Sequence, residues 1–197
     1  MNSPEDQIEL NIDFNSLETL LINQEWYSAD LETNRLMLEI TNRSYQHIKE
    51  WALSHPLQDN VSDRVWLRRA IDRVMSKDWQ AVDHLWVKHS SGRFGFSIQL
   101  RIWMDLGAIL GEDYEIYGDR LGGELNCKFA ERVGWQAQTL EDEIPQLTYN
   151  LQAPEGHLPG YTYHECMQYF KWGGRTLGLS EFFNRLSGIV GGFKSSS

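Results

Sequence analysis

Two glycines three residues apart, Gly92 and Gly95, interrupt what would otherwise be one continuous helical pattern, and no other feature constrains the chain as much. Leu85-Trp86-Val87-Lys88 runs up to the interruption, Arg93 and Phe94 sit between the glycines, and helical spacing resumes through Ile98, Ile102 and Leu106. Glycines around an aromatic predict a tight bend, with a helix starting at Ser97 and with Phe94 and Phe96 beside its entrance.

On either side the same rules predict mostly helices. Residues 1–14 are polar and acidic and read as a loose arm, although the alternation of Ile8, Leu10, Ile12 and Phe14 suits a short extended segment laid on the body. Asn15 or Ser16 is placed to cap a helix carrying Leu17, Leu20 and Leu21. Ser28 is placed to cap a second, with Asp30 and Glu32 in its first turn, so the pair makes a helical hairpin. Residues 44–80 accommodate two more helices around the His55-Pro56 break. The glycine-rich stretch 104–135 predicts short helices and turns, Gln146–Leu151 a brief extended piece, Ala153–Tyr161 a loop, and Ser180–Phe193 a final helix before a frayed tail at 194–197. The expectation is an all-α fold in which residues 15–193 form one globular domain. A repeat array is not indicated, because the hairpin has no self-similar successor.

At 197 residues the chain is long enough for a sizeable single core. Its eight Trp, eight Tyr and eight Phe are more aromatic surface than such a core usually holds, so some are candidates to face a ligand. Of the net charge of −10, residues 1–40 contribute −8, from nine acids against Arg35 alone. That field, with no Lys/Arg run, opposes nucleic acid and anionic membranes. No stretch approaches the ~20 apolar residues of a membrane helix, the start lacks a leader-like pattern, and Cys127 and Cys166 suit a reducing compartment, so the expectation is a soluble cytoplasmic monomer. Glu141, Asp142 and Glu143 read as a solvated turn, and no nucleophile elbow, phosphate loop or dinucleotide motif is present, which leaves catalysis without support. His157, His164 and Cys166 match no zinc spacing, so no metal site is expected.

Leu85-Trp86-Val87-Lys88 with Gly92-Arg93-Phe94-Gly95-Phe96-Ser97-Ile98-Gln99, and later Ala153-Pro154-Glu155-Gly156-His157-Leu158-Pro159, resemble the motifs of the Genomes Uncoupled four family, with further matches in Trp26–Leu38 and Phe129–Trp135. The resemblance implies an all-helical carrier of protoporphyrin IX or Mg-protoporphyrin IX, of cyanobacterial type. By the same resemblance it assists magnesium chelatase, through that enzyme's large porphyrin-binding subunit, and performs no chemistry of its own. A paralogue that binds a bilin is the alternative, with Cys127 or Cys166 as possible thioether positions; a helical adaptor for a peptide helix is another.

The resemblance places Phe94, Phe96, Gln99 and Leu100 at the floor of a pocket, and Gly156-His157-Leu158-Pro159 in the loop whose mobile continuation covers the pigment. A tetrapyrrole demands a large apolar face and cationic donors for its propionates. By residue type, Arg93, Arg101 and Trp103 join the floor, while Tyr161, Trp172 and Arg175 join the later loop and helix. Spacing alone also allows Phe94, Phe96 and Trp103 to be core residues of a helix junction. Nothing in the sequence orients His157, which leaves it free to approach a porphyrin's magnesium.

Overall fold

The computed structural model describes residues 10–54, 77–111, 121–135, 147–160, 182–184, 186 and 187. The fold is all-α, and among the described residues there is no strand. Helix α1 spans Asn15–Ile22 and α2 Trp26–Ser54. Helix α3 covers residues 77–89 of the described chain, α4 spans Phe96–Asp105 and α5 Leu121–Val133, with residues 182–184, 186 and 187 again helical.

The predicted hairpin exists, but its caps differ. Asp13 Oδ1 accepts the Asn15 amide (2.9 Å), so the side chain at the start of α1 belongs to neither Asn15 nor Ser16. Gln24 takes the left-handed conformation (φ 58°), and the amides of Gln24 and Glu25 turn back to the carbonyls of Leu21 and Leu20. That double closure ends a helix within three residues. It lets α2 begin at Trp26, with the Glu25 carbonyl accepting the Ala29 amide, and leaves Ser28 inside the helix. Residues 44–54 continue α2 and form no separate helix before the His55-Pro56 break; residues 55–76 lie outside the described residues.

Residues 10–14 are not loose. Leu10 is buried, Ile12 and Phe14 pack against the core, and the Arg43 guanidinium holds the Leu10 carbonyl at 2.8 Å. The expected extended piece near Leu147 is open chain without a ladder. In the glycine-rich stretch, α4 runs on to Asp105, and Gly122 and Gly123 fall in the first turn of a single 13-residue α5 rather than between shorter helices.

One core joins these elements. Trp26, Ala29, Leu36, Met37 and Ile40 of α2 meet Leu17 and Leu21 of α1 and Val82, Leu85 and Trp86 of α3. Phe94 and Phe96 leave the bend in opposite senses. Phe94 stands edge-on to Trp26 and Trp86, while Phe96 stacks on Trp79 and touches Phe182. Beyond it Trp103, Phe129, Trp135 and Phe183 form a second aromatic cluster, closing α4 and α5 over the terminal helix. Most of the described aromatics therefore serve the core.

Candidate functional site

The bend between α3 and α4 is built from its own backbone first. The Gly92 amide reaches the Val87 carbonyl, the Arg93 amide that of Ser90, and Ser90 Oγ accepts the Phe94 amide at 2.8 Å. Helix α4 then starts at Phe96, one residue before the predicted Ser97. Its cap comes from another helix: Asp83 Oδ1, on α3, accepts the Ser97 amide at 2.9 Å. Burial pushes the Asp83 carboxyl up, against the Ser97 and Phe96 amides and the Ser97 hydroxyl, which favour its charged form. Gly95 fits this crowding alone. Its φ is 138°, and a Cβ there would lie 2.8 Å from both Asp83 Oδ1 and Val87 Cγ2.

The late loop is bound to this bend across some 60 residues of sequence. The Gly156 amide donates to the Arg93 carbonyl (2.9 Å), and the Gly95 amide donates to that of Leu158 (3.0 Å). Gln99 is fully buried, and its Nε2 serves both the Gly156 and Pro159 carbonyls at 2.9 Å. Trp135 Nε1 donates to the His157 carbonyl at 2.9 Å. Four consecutive carbonyls, 156 to 159, are thus each met by a donor from α4, the bend or the end of α5. Buried carbonyls left without such donors would cost about 1–3 kcal/mol each.

The sequence-predicted site residues fall into three groups. Phe94, Phe96, Gln99, Trp103, His157, Leu158 and Pro159 are brought together, but inside the core, with their surfaces covered by protein. Arg93 and Arg101 reach outward from the same junction; Arg93 Nε donates to the Ala153 carbonyl (2.8 Å) and Arg101 pairs with Glu155 (2.6 Å). Tyr161, Trp172 and Arg175 lie outside the described residues.

His157 is oriented by both ring nitrogens. Nε2 accepts the Thr148 amide at 2.8 Å, which makes Nδ1 the protonated nitrogen, donating to the Val133 carbonyl at 2.6 Å. Burial holds its pKa below the ordinary value, keeping the ring neutral. In this arrangement neither nitrogen is available to a magnesium ion, which corrects the role left open for His157. The late loop is held along residues 156–160, which are buried with the carbonyls of 156–159 and the amides of Gly156, His157 and Gly160 bonded, while residues 161–172 lie outside the described residues.

Several structural anchors of the site were not singled out in the sequence. Asp30 is buried on α2, where Oδ1 accepts the Gly160 amide at 2.6 Å and Oδ2 faces the Tyr149 hydroxyl at 3.4 Å. Burial pushes its carboxyl up to about 6 despite both partners. Thr33 Oγ1 accepts Trp86 Nε1 at 2.9 Å. The signal was the helix wheel: Asp30 and Thr33 share the flank of α2 that carries Trp26, Ala29 and Met37. Among the described residues no group of His, Cys, Asp or Glu is gathered as for a metal, Cys127 is exposed on α5, and no helix is long and apolar enough to cross a membrane.

The sequence matches the family described as GUN4-like over residues 7–173, a span that contains the bend, both anchoring helices and the late loop. It is 29% identical over 162 residues to the tetrapyrrole-binding protein, chloroplastic, of Arabidopsis thaliana, covering 74% of this chain and 47% of that protein. The Ycf53-like protein of Synechocystis sp. is 26% identical over 150 residues, covering 75% of this chain and 51% of the relative. The chain therefore spans about half the length of the curated relatives it matches. The ligand-free structure of Arabidopsis thaliana GUN4 has the same fold, with a TM-score of 0.50 at 24% identity over 95% of this chain and 96% of that one. On the match across 7–173, this chain belongs to the GUN4-like family.

Proposed function

We propose that this chain binds a tetrapyrrole, protoporphyrin IX or Mg-protoporphyrin IX, and acts as a non-catalytic carrier that regulates magnesium chelatase in chlorophyll synthesis. The observation that carries the reading is family membership over a span that includes both halves of the junction, together with the name of the Arabidopsis relative. The described residues suit a floor and not a complete cup. Gln99, Gly95 and Trp135 fix the late loop rigidly, and a rigid floor lowers the ordering cost of binding a flat ligand. Phe94, Phe96, Trp103 and Leu158 act from beneath, by setting the shape of that floor. The pigment's propionates meet Arg93 and Arg101 at its rim, with Glu155 displaced from Arg101. Tyr161, Trp172 and Arg175 supply contacts from the segment that follows Gly160.

Absorbance titration tests this directly. Protoporphyrin IX and Mg-protoporphyrin IX should each give a saturable shift of the main pigment band. Arg93→Ala and Arg101→Ala should weaken binding by about 1–3 kcal/mol, and the exposed Arg132→Ala should not. A tighter, saturable response to a bilin than to either porphyrin would transfer the assignment to the sensor reading. No saturable response to any of the three would end the tetrapyrrole reading. The chelatase role is tested separately, by adding the pigment-loaded protein to magnesium chelatase and measuring the rate of metal insertion.

A further inference from the structure

Two buried carboxyls stand at the junction, and they are used differently. Asp83 caps a helix by accepting the Ser97 amide. Asp30, only 1% exposed, caps nothing, and among the described residues it pairs with no Lys, Arg or His. Its partners are neutral: the Gly160 amide at 2.6 Å and the Tyr149 hydroxyl at 3.4 Å. Through them it fastens residues 147–150 and the end of the late loop to α2.

The fit is close on one side and shallow on the other. A Cβ on Gly160 would meet both Leu147 Cδ1 and the Asp30 carboxyl, so the chain passes too near for water to enter there. Leu147 and Tyr149, in contrast, are only half-buried, Thr148 and Asn150 are exposed, and Tyr149 leans edge-on against the exposed ring of Tyr27 at 5.0 Å. One layer of open chain thus separates the carboxyl from solvent. It is held by the long Tyr149 contact and by the Thr148 amide on His157 Nε2.

We infer that Asp30 is a proton-operated fastening: protonated, it holds residues 147–150 and Gly160 down on α2, and ionised, it drives that layer to open locally so that water reaches the carboxylate. A buried carboxylate with two neutral donors and no cation stays poorly solvated, whereas moving Tyr149 outward restores its water. The neighbouring titratable groups do not produce this response. Burial, and then Asp30 itself, push the Tyr149 hydroxyl up, so it remains a donor, and Tyr27 packs on Tyr149. His157 turns to Val133 and Thr148, and its protonation frees the Thr148 amide as pH falls, the opposite sense.

Amide exchange of the free protein tests the fastening without pigment, so its outcome is independent of the proposed function. Asp30→Asn keeps an oxygen for Gly160, cannot ionise, and carries the His157 effect equally. Relative to that variant, opening of wild type at Thr148 and Gly160 should rise roughly fiftyfold from pH 4 to 7, the linkage of a carboxyl that titrates at about 6 when closed and 3.8 when open. That exchange should be insensitive to low urea, as local opening is, while exchange at Phe129 in the core rises with urea. Equal pH dependence in wild type and variant overturns the proposal, and so does exchange at Gly160 with the full urea dependence of Phe129. Should Asp30→Asn fail to fold, the carbon-13 shift of the Asp30 carboxyl decides in wild type. A midpoint near 6, tracked by urea-insensitive exchange at Gly160, supports the fastening, and a midpoint at or below 3.8 overturns it.

Discussion

The α1–α2 hairpin and the junction of the 90–95 bend with the 153–160 loop sit side by side, yet they are held by different physics. In the hairpin, polar groups act locally. The Gln24 turn closes on α1, Thr33, Thr41 and Ser44 return their hydroxyls to carbonyls one turn earlier, and the ion pairs are three or four residues apart. In the junction the bonds that join bend to loop are distant in sequence and mostly buried: Arg93 with Ala153 and Gly156, Gly95 with Leu158, Gln99 with Gly156 and Pro159. Exposed ion pairs such as those of Arg35 are interchangeable with water, whereas buried long-range bonds are not. The exposed face of the hairpin should therefore tolerate polar substitution, and the junction should not.

Gly95→Ala puts the sharpest strain on that contrast. A methyl group at φ 138°, 2.8 Å from Asp83 Oδ1 and Val87 Cγ2, should cost about 4 kcal/mol in urea unfolding through combined backbone and packing strain. A cost under about 1 kcal/mol would mean the bend shifts freely, and the junction would lose its claim to rigidity.

Gln99→Leu keeps the volume but strips the donor from two buried carbonyls, and should cost about 3 kcal/mol by the same measurement. The loss should be shared with Trp135→Phe when the two are combined, because both hold one loop.

Asp30 lies where the two regions touch, and its effect is read through pH. Its folded pKa of about 6 stands above the ordinary 3.8, so the folded state holds the proton longer than the unfolded chain does. The stabilisation is complete below 3.8 and is lost as pH rises through about 6. Two pK units correspond to roughly 2–3 kcal/mol, so Asp30→Asn should gain on wild type by that amount between pH 4 and 7. His157 acts in the opposite direction: its lowered pKa gives stability present above 6.5 and lost as pH falls. Unfolding curves of wild type and Asp30→Asn that stay parallel across the range would remove Asp30 as the titrating group where the two regions touch.

The smallest effect belongs to the hairpin. Arg35→Ala removes two ion pairs, but its side chain is 54% exposed and solvent screens the pairs, so about 0.5 kcal/mol is expected from thermal unfolding. A cost equal to that of Gln99→Leu would abolish the distinction between the two regions.

How far the sequence could be read follows the same division. The bend at Gly92 and Gly95 and the loop at 153–160 were legible because glycine and proline act through their own backbone angles. The amphipathic helices were legible because a 3.6-residue period needs no knowledge of partners. What the sequence hid was the pairing of bend with loop, since nothing in either segment names a carbonyl 60 residues away. Ser28 was misread as a cap because its preference is generic, while the stop that mattered was Gln24 in a conformation usually left to glycine. Spacing favours a core role for Phe94, Phe96 and Trp103 and the resemblance a pocket; their side chains are buried, and the sequence could not say which apolar surface would cover them.

The burial of the indoles changes what light can report about this protein. Trp86, Trp103 and Trp135 are sealed, and Trp26 and Trp79 nearly so. Iodide, a quencher that must collide with the excited ring, should leave their emission almost untouched and blue-shifted in the folded state. A bound porphyrin would dim the emission of these five without touching them, because resonance energy transfer acts across intervening protein. Fluorescence loss on adding pigment thus measures separation and orientation rather than contact, and each Trp→Phe variant becomes one leg of a triangulation of where the pigment lies.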